Sequence, residues 1–253
     1  METTFQMLLI VCPLVFLAAA LDAIGGGGGL ISLPAYYLAG LPAAMAGGSN
    51  KLSACIGTLI STFKYFKEGK IHLVPALCAV AGALPGAWFG AQLLQLVDEH
   101  IIRLCLLIGF PLIAVLMLVK RDTPVQPKPI TRARLAGCFA LGLGCGLYDG
   151  FFGPGTGTLL IMGLTYLIGL DMITASGTAK LINLASNLSA LTVLTGGQNV
   201  LFSLALPAAL FSVAGGYLGS WLAIRKGAPL IRKALLAVLV MLMIKLAVDW
   251  LGA

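Results

Sequence analysis

The chain has 253 residues, of which 59% are hydrophobic and only 10% charged, against about 25% charged in soluble domains. Mean hydropathy is +1.02, and apolar stretches long enough to cross a bilayer as helices (about 17–25 residues) recur from end to end. This composition excludes a soluble enzyme or a nucleic-acid-binding domain, and the net charge of +7 resides in short loops. The apolar runs lack the period-two alternation of a membrane barrel, so the expected fold class is all-α integral membrane.

The first apolar run, 5–24, has no basic segment before it and reads as a retained span rather than a signal peptide. It ends in Asp22-Ala-Ile-Gly-Gly-Gly-Gly-Gly. Five consecutive glycines lose too much backbone freedom on ordering to continue a helix. A short helix therefore restarts near residue 29. A second break is expected over 42–51, which holds a glycine pair. An apolar segment, 43–66, runs into a loop with Lys64, Lys67 and Lys70, and spans follow near 71–97 and 101–120. Residues 120–134 form a polar linker. Beyond it the pattern recurs. An apolar segment, 135–149, leads to a break over 149–158, where Pro154 removes a backbone donor. A short helix follows at 157–170, then a second break over 171–180 within a segment reaching 196. Spans near 200–224 and 230–251 complete the chain.

This recurrence is an internal duplication. Shifted by 129 positions, Gly26 and Gly28 meet Gly155 and Gly157, and Gly40 meets Gly169. Gly48-Ser49 meets Gly177-Thr178, and Lys51-Leu52 meets Lys180-Leu181. Gly86 and Gly90 meet Gly215 and Gly219, and Ile102-Arg103 meets Ile231-Arg232. Asp22 and Asp149 match with a two-residue slip. The expected organisation is a first transmembrane repeat, 1–120, a cytoplasmic linker, 121–134, and a second repeat, 135–253.

Loop charge sets the relative orientation of the repeats. Most Lys and Arg lie in 64–70, 120–134 and 225–233. The counterpart of the first loop, 195–201, carries no charge, and that of the third, 96–104, carries Asp98, Glu99 and a single Arg. Basic loops are cytoplasmic, so equivalent loops fall on opposite sides. The expectation is an inverted-topology repeat of about five segments per half, short broken or re-entrant helices included, with both termini outside.

A lysine within an apolar segment is costly and marks a functional site. Lys51 and Lys180 are such residues, in matching places of the two halves. The short helices that restart after the breaks expose unpaired N–H groups and partial positive charge, which suits a small oxyanion. The candidate substrate-binding residues are Lys51, Lys180, Ser49, Asn50, Thr178, Gly28, Gly155, Thr156, Gly157, Thr158, Asn183 and Asn187. Asp22 and Asp149 are candidates for proton coupling, for N-caps or for the lysines' counter-ions. Gly86, Gly90, Gly215 and Gly219 read as helix-packing positions.

Other chemistries find little support. The six cysteines lie in apolar runs with no CxxC and no neighbouring His, so they read as packed thiols without a metal site. No Gly-x-x-x-x-Gly-Lys-[Ser/Thr] occurs, and the glycine run follows a membrane helix rather than a strand, so neither nucleotide motif is present. His72 and His100 are expected at loop ends on opposite sides, which leaves no nucleophile–base pair. Neither catalysis nor a cofactor is expected. The expected partners are a small anionic substrate and the lipid bilayer, not nucleic acid.

Taken together, these motifs resemble the TauE/SafE family of sulfite-exporter-like permeases over nearly the whole chain. The features that carry the resemblance are Gly25 to Gly29, Pro34, Gly40-Leu41-Pro42 and Gly48-Ser49-Asn50-Lys51-Leu52. An aromatic stretch, Tyr65 to Ile71, follows. In the second half the block Asp149 to Thr158 and Gly177-Thr178-Ala179-Lys180 match, with Asn183 and Asn187 at polar positions. The resemblance implies a permease of the bacterial inner membrane for small sulfur-containing anions, sulfite or organosulfonates such as sulfoacetate. Some members carry other small carboxylates.

Overall fold

The computed structural model describes residues 3–98 and 128–227. Among these the chain forms eight helices and no strand. They are α1 (Phe5–Gly25), α2 (Gly29–Leu38), α3 (Ala43–Lys67), α4 (Leu73–Leu96), α5 (Arg132–Phe151), α6 (Thr156–Ile168), α7 (Met172–Gly196) and α8 (Phe202–Lys226). The expected spans 101–120 and 230–251, together with His100 and Cys105, lie outside the described residues.

The helix ends repeat with the sequence. α3 and α7 are both 25 residues long and start 129 positions apart. The first breaks fall where glycine demands them. Gly26 and Gly27 have positive φ, as do Gly153 and Gly155, a backbone region that only glycine enters freely. The expected second breaks do not form. α3 runs unbroken through Gly47, Gly48 and Lys51, and α7 through Gly177 and Lys180. Only the short turns at 39–42 and 169–171 precede them. In lipid, backbone groups stay satisfied by remaining helical, and these glycines serve contact instead. A Cβ at Gly48 would overlap the carbonyl of Asn199, and one at Gly177 the carbonyl of Lys70. Those two carbonyls are themselves 129 positions apart.

The packing also exchanges under the duplication. α4 lies on α5, and α1 lies on α8. Gly82, Gly86 and Gly90 of α4 fit against the carbonyls of Phe139, Leu143 and Leu147 in ascending order, so α4 and α5 run parallel. Gly215 and Gly219 of α8 likewise meet Phe16 and Ala20 of α1. The small-residue reading of these glycines therefore holds: they let backbones touch where dispersion is the main attraction. Gly57 of α3 faces Ser212 of α8, and Ser61 faces Gly216, again in parallel. α3 and α7 run antiparallel. The Ser49 hydroxyl at the start of α3 accepts the N–H of Leu201 just after α7, and the Thr178 hydroxyl in α7 accepts that of His72 just after α3.

These directions gather the basic segments. The ends of α3 and α8, with Lys64, Lys67, Arg225 and Lys226, share one end of the bundle with the start of α5, where Lys128, Arg132 and Arg134 stand. Lys64 sits over the Tyr217 ring and Arg225 over Trp221. The opposite end carries the uncharged 197–201 turn. α1, α4 and α8 are long and apolar enough to cross a membrane, and residues such as Leu9, Leu17, Leu77, Phe89, Leu206 and Leu210 point outward. α3 and α7 are as long, about 37 Å at 1.5 Å per residue. They carry their Ser, Thr, Asn and Lys inward instead.

Candidate functional site

The two breaks cross at the centre of the bundle. A Cβ on Gly26 would overlap the backbone of Gly157 and Thr158, and Gly29 abuts Pro154. Only glycine permits this approach. Thr158 donates its hydroxyl to Gly25 O at 3.0 Å, and Ser176 donates to Ile24 O at 3.0 Å. Tyr65 reaches Ala23 O at 2.8 Å. Carbonyls freed by the first break are thus satisfied by hydroxyls from α3, α6 and α7. From the crossing α2 and α6 run outward, so their N-termini meet in the middle.

The charges pair across the halves. Lys51 Nζ lies 2.8 Å from Asp149 Oδ2 and donates to Asn187 Oδ1 at 2.9 Å. Ser186 donates to the same Asp149 oxygen at 2.6 Å. Lys180 pairs with Asp22 Oδ2, whose other oxygen accepts the N–H of Gly28 at 3.3 Å. Each lysine therefore finds the aspartate of the other repeat. The two-residue slip between Asp22 and Asp149 matches the slip in the helix contacts, where Phe16 and Ala20 stand in for Leu143 and Leu147.

A cavity opens at this crossing, lined by Asp22, Gly27 to Gly29, Asn50, Lys51, Asp149, Gly155 to Gly157, Asn183 and Asn187 among others. Its volume is about 50 Å³, well above the roughly 10–15 Å³ a cavity needs to admit a water. The Asn183 Oδ1 and Asn50 Oδ1 atoms are buried without a hydrogen-bond partner, an open demand for a donor such as water. Lys51 has three N–H donors; Asp149 and Asn187 take two, leaving one for a ligand.

Of the residues expected from sequence, Lys51, Asn50, Gly28, Gly155, Thr156, Gly157, Asn183 and Asn187 line this cavity, as do Asp22 and Asp149. Lys180 does not line it: it is sealed at 0% exposure behind its ion pair. Ser49 and Thr178 accept loop N–H groups, and Thr158 braces the crossing. Ser186 was not among the expected residues. Its place beside Asn187 on the polar face of α7 was the available signal. Among the described residues no cluster of His, Cys, Asp and Glu could hold a metal. Outside the spans, Asp171 caps α7 through the N–H groups of Ile173 and Thr174. Burial raises its pKa, but Thr174, Ile173 and Lys70 together hold it below its ordinary value.

The family model for the sulfite exporter TauE/SafE matches residues 11–246. The chain belongs to the TauE/SafE family. It is 30% identical over 98% of both chains to a probable membrane transporter protein of Haemophilus influenzae. It is 31% identical to probable membrane transporter proteins of Sinorhizobium sp (ORF9, 99% of both chains) and of Escherichia coli K12 (YfcA, 98% of both). No solved structure matches. The TauE/SafE fold here is thus an all-helical membrane architecture from a family of transporters.

Proposed function

We propose that this protein is a secondary transporter of a small sulfur-containing anion, sulfite or an organosulfonate such as sulfoacetate, coupled to protons. The observation that carries the reading is the meeting of two helix N-termini and Lys51 on one small polar cavity. The two lysines and two aspartates cancel. The N-termini of α2 and α6 each bring roughly half a positive charge, and the C-termini of α1 and α5, ending at the same crossing, bring the opposite, so the attraction for an anion rests on local N–H groups and Lys51 rather than on a net charge. Half-helix N-termini aimed at an anion near mid-membrane are a recurring device of transporters with broken helices.

Asp149 is the coupling group. While ionised it occupies Lys51, and protonating it frees the ammonium for the anion. A passive pore needs no such lock, which favours the coupled carrier. The antiparallel course of α3 and α7, and the gathering of basic segments at one end, support an inverted repeat in the bacterial inner membrane with both termini outside. Labelling of cysteines placed at Gln198 and Lys226 tests the topology: opposite accessibility is expected, and same-side labelling sinks it.

The functional test is sulfite binding in detergent and uptake into proteoliposomes, with and without an imposed pH gradient. Saturable, gradient-driven uptake is expected. It should be lost in Lys51→Ala and in Lys51→Ala/Asp149→Asn, which leaves no unpaired buried charge. Unchanged affinity in both variants removes Lys51 from the site. Uptake that ignores the gradient and never saturates replaces the carrier with a channel.

A further inference from the structure

The halves match in backbone and in charge, but not in what lines the cavity. Beside the pseudo-symmetry axis both halves contribute: Ala54 and Asn183, and Thr58 and Asn187, stand 129 positions apart and all four line it. Farther out the match fails. Ser32, Asn50, Ser53, Ser61 and Ser212 line the cavity. At the corresponding positions stand Ile161, Ala179, Ile182, Ala190 and Ala83, each at 0% exposure. None of these five lines it. Ile161, Ala179, Ile182 and Ala83 pack in one apolar cluster.

The two walls differ physically. Ser32 and Ser61 give their protons to Gly28 O and Gly57 O, which leaves oxygen lone pairs for water. Such a wall suits a hydrated anion in transit, with firm binding deferred to Lys51. The buried, unpartnered Asn183 Oδ1 stands where this wall meets the site. A close-packed aliphatic seam holds no water, and an ion does not cross it unless it parts. Lys51 opens on the wet side, while Lys180, its counterpart, is sealed.

We propose that the substrate route is asymmetric: a hydroxyl-lined vestibule at α2, α3 and α8 leads to Lys51, and the dry Ile161–Ile182 seam at α4, α6 and α7 is the gate that must separate to release the anion beyond it. The vestibule and seam rest on the anion reading above for the identity of the cargo only.

The test begins with protein lacking the six native cysteines. Asn50→Cys and Ala179→Cys are introduced singly and probed, without substrate, with a small anionic thiol reagent. The thiol at 50, on the partly exposed cavity wall, is expected to label and the one at 179, at 0% exposure, to stay unlabelled; equal labelling overturns the asymmetry. The contrast does not require sulfite to bind, so it separates this inference from the substrate reading: contrast without protection by sulfite counts against sulfite alone. In proteoliposomes, Ile161→Ser/Ile182→Ser is expected to leak sulfite down its gradient without saturation. A double variant that inserts, binds sulfite and stays tight overturns the gate. If the double variant does not insert, the labelling pair decides.

Discussion

The crosswise ion pairs make a quantitative demand on stability. Lys51 and Asp149 are 2.8 Å apart with side-chain exposures of 7% and 3%. At an effective dielectric of about 20 their attraction is on the order of 6 kcal/mol, offset in large part by the desolvation of both ions. Removing one partner forfeits the attraction but leaves the other desolvated, at a cost of about 3–5 kcal/mol. Lys51→Met strands Asp149 with only the Ser186 hydroxyl, and Asp149→Asn strands Lys51 with Asn187. The double variant removes both charges and should recover much of either loss, with a coupling energy in the range of about 0.5–3 kcal/mol. Thermal unfolding in detergent measures it, each single variant falling by roughly 6–20 °C. Lys180→Met should cost less, because Asp22 keeps the Gly28 N–H and its side chain is 21% exposed. Additive losses in the Lys51/Asp149 cycle would refute the buried-pair reasoning, and so would single variants as stable as the parent.

Three other outcomes are expected. Gly86→Ala should weaken the fold, because its Cβ would overlap Leu143 O, whereas Gly144→Ala meets nothing and should be neutral or up to about 1 kcal/mol stabilising; the order of their melting temperatures checks this. Asp171→Ala removes the α7 cap and should cost about 1 kcal/mol. The depressed folded-state pKa of Asp171 means its contribution is full above the unfolded carboxylate range and is lost as pH falls through the folded value, so the two proteins' melting temperatures should converge in acid. Asp149→Asn should leave sulfite uptake into proteoliposomes unresponsive to an imposed pH gradient that drives the parent; equal responses would remove Asp149 from coupling.

Much of the architecture was legible in sequence because it is local. Runs of glycine, Pro154 and apolar length placed both breaks and the restarts at Gly29 and Thr156 within a residue. The 129-residue register anticipated equal lengths for α3 and α7. The false second breaks arose from reading Gly47-Gly48 as a backbone signal. Gly48 serves contact with a turn about 150 residues away and Gly47 faces Leu94 of α4, and no local pattern records that. The counter-ion role of Asp22 and Asp149 was one of the options legible in sequence, because two Lys and two Asp in apolar segments name the participants, but only packing shows that the pairs cross. Lys180 was put on a par with Lys51 by the duplication, and the structure separates them by burial.

The crosswise pairing also bears on how the duplicated halves work as one body. Pairing within a repeat would let each half satisfy its own charge and move without electrostatic consequence. Here Lys51 depends on Asp149, and Lys180 on Asp22. Sliding one repeat against the other therefore strains both pairs at once. Such a slide is tolerable only if something replaces the lost partner: a proton on the aspartate and an anion on the lysine do so together. In the proton-coupled transport proposed above, proton and anion would move as a unit because either alone leaves a buried charge unpaired, at about several kcal/mol. The bond geometry makes the Lys51 pair the one to exchange. Its lysine opens on the cavity, whereas Lys180 is fully buried behind its pair with Asp22.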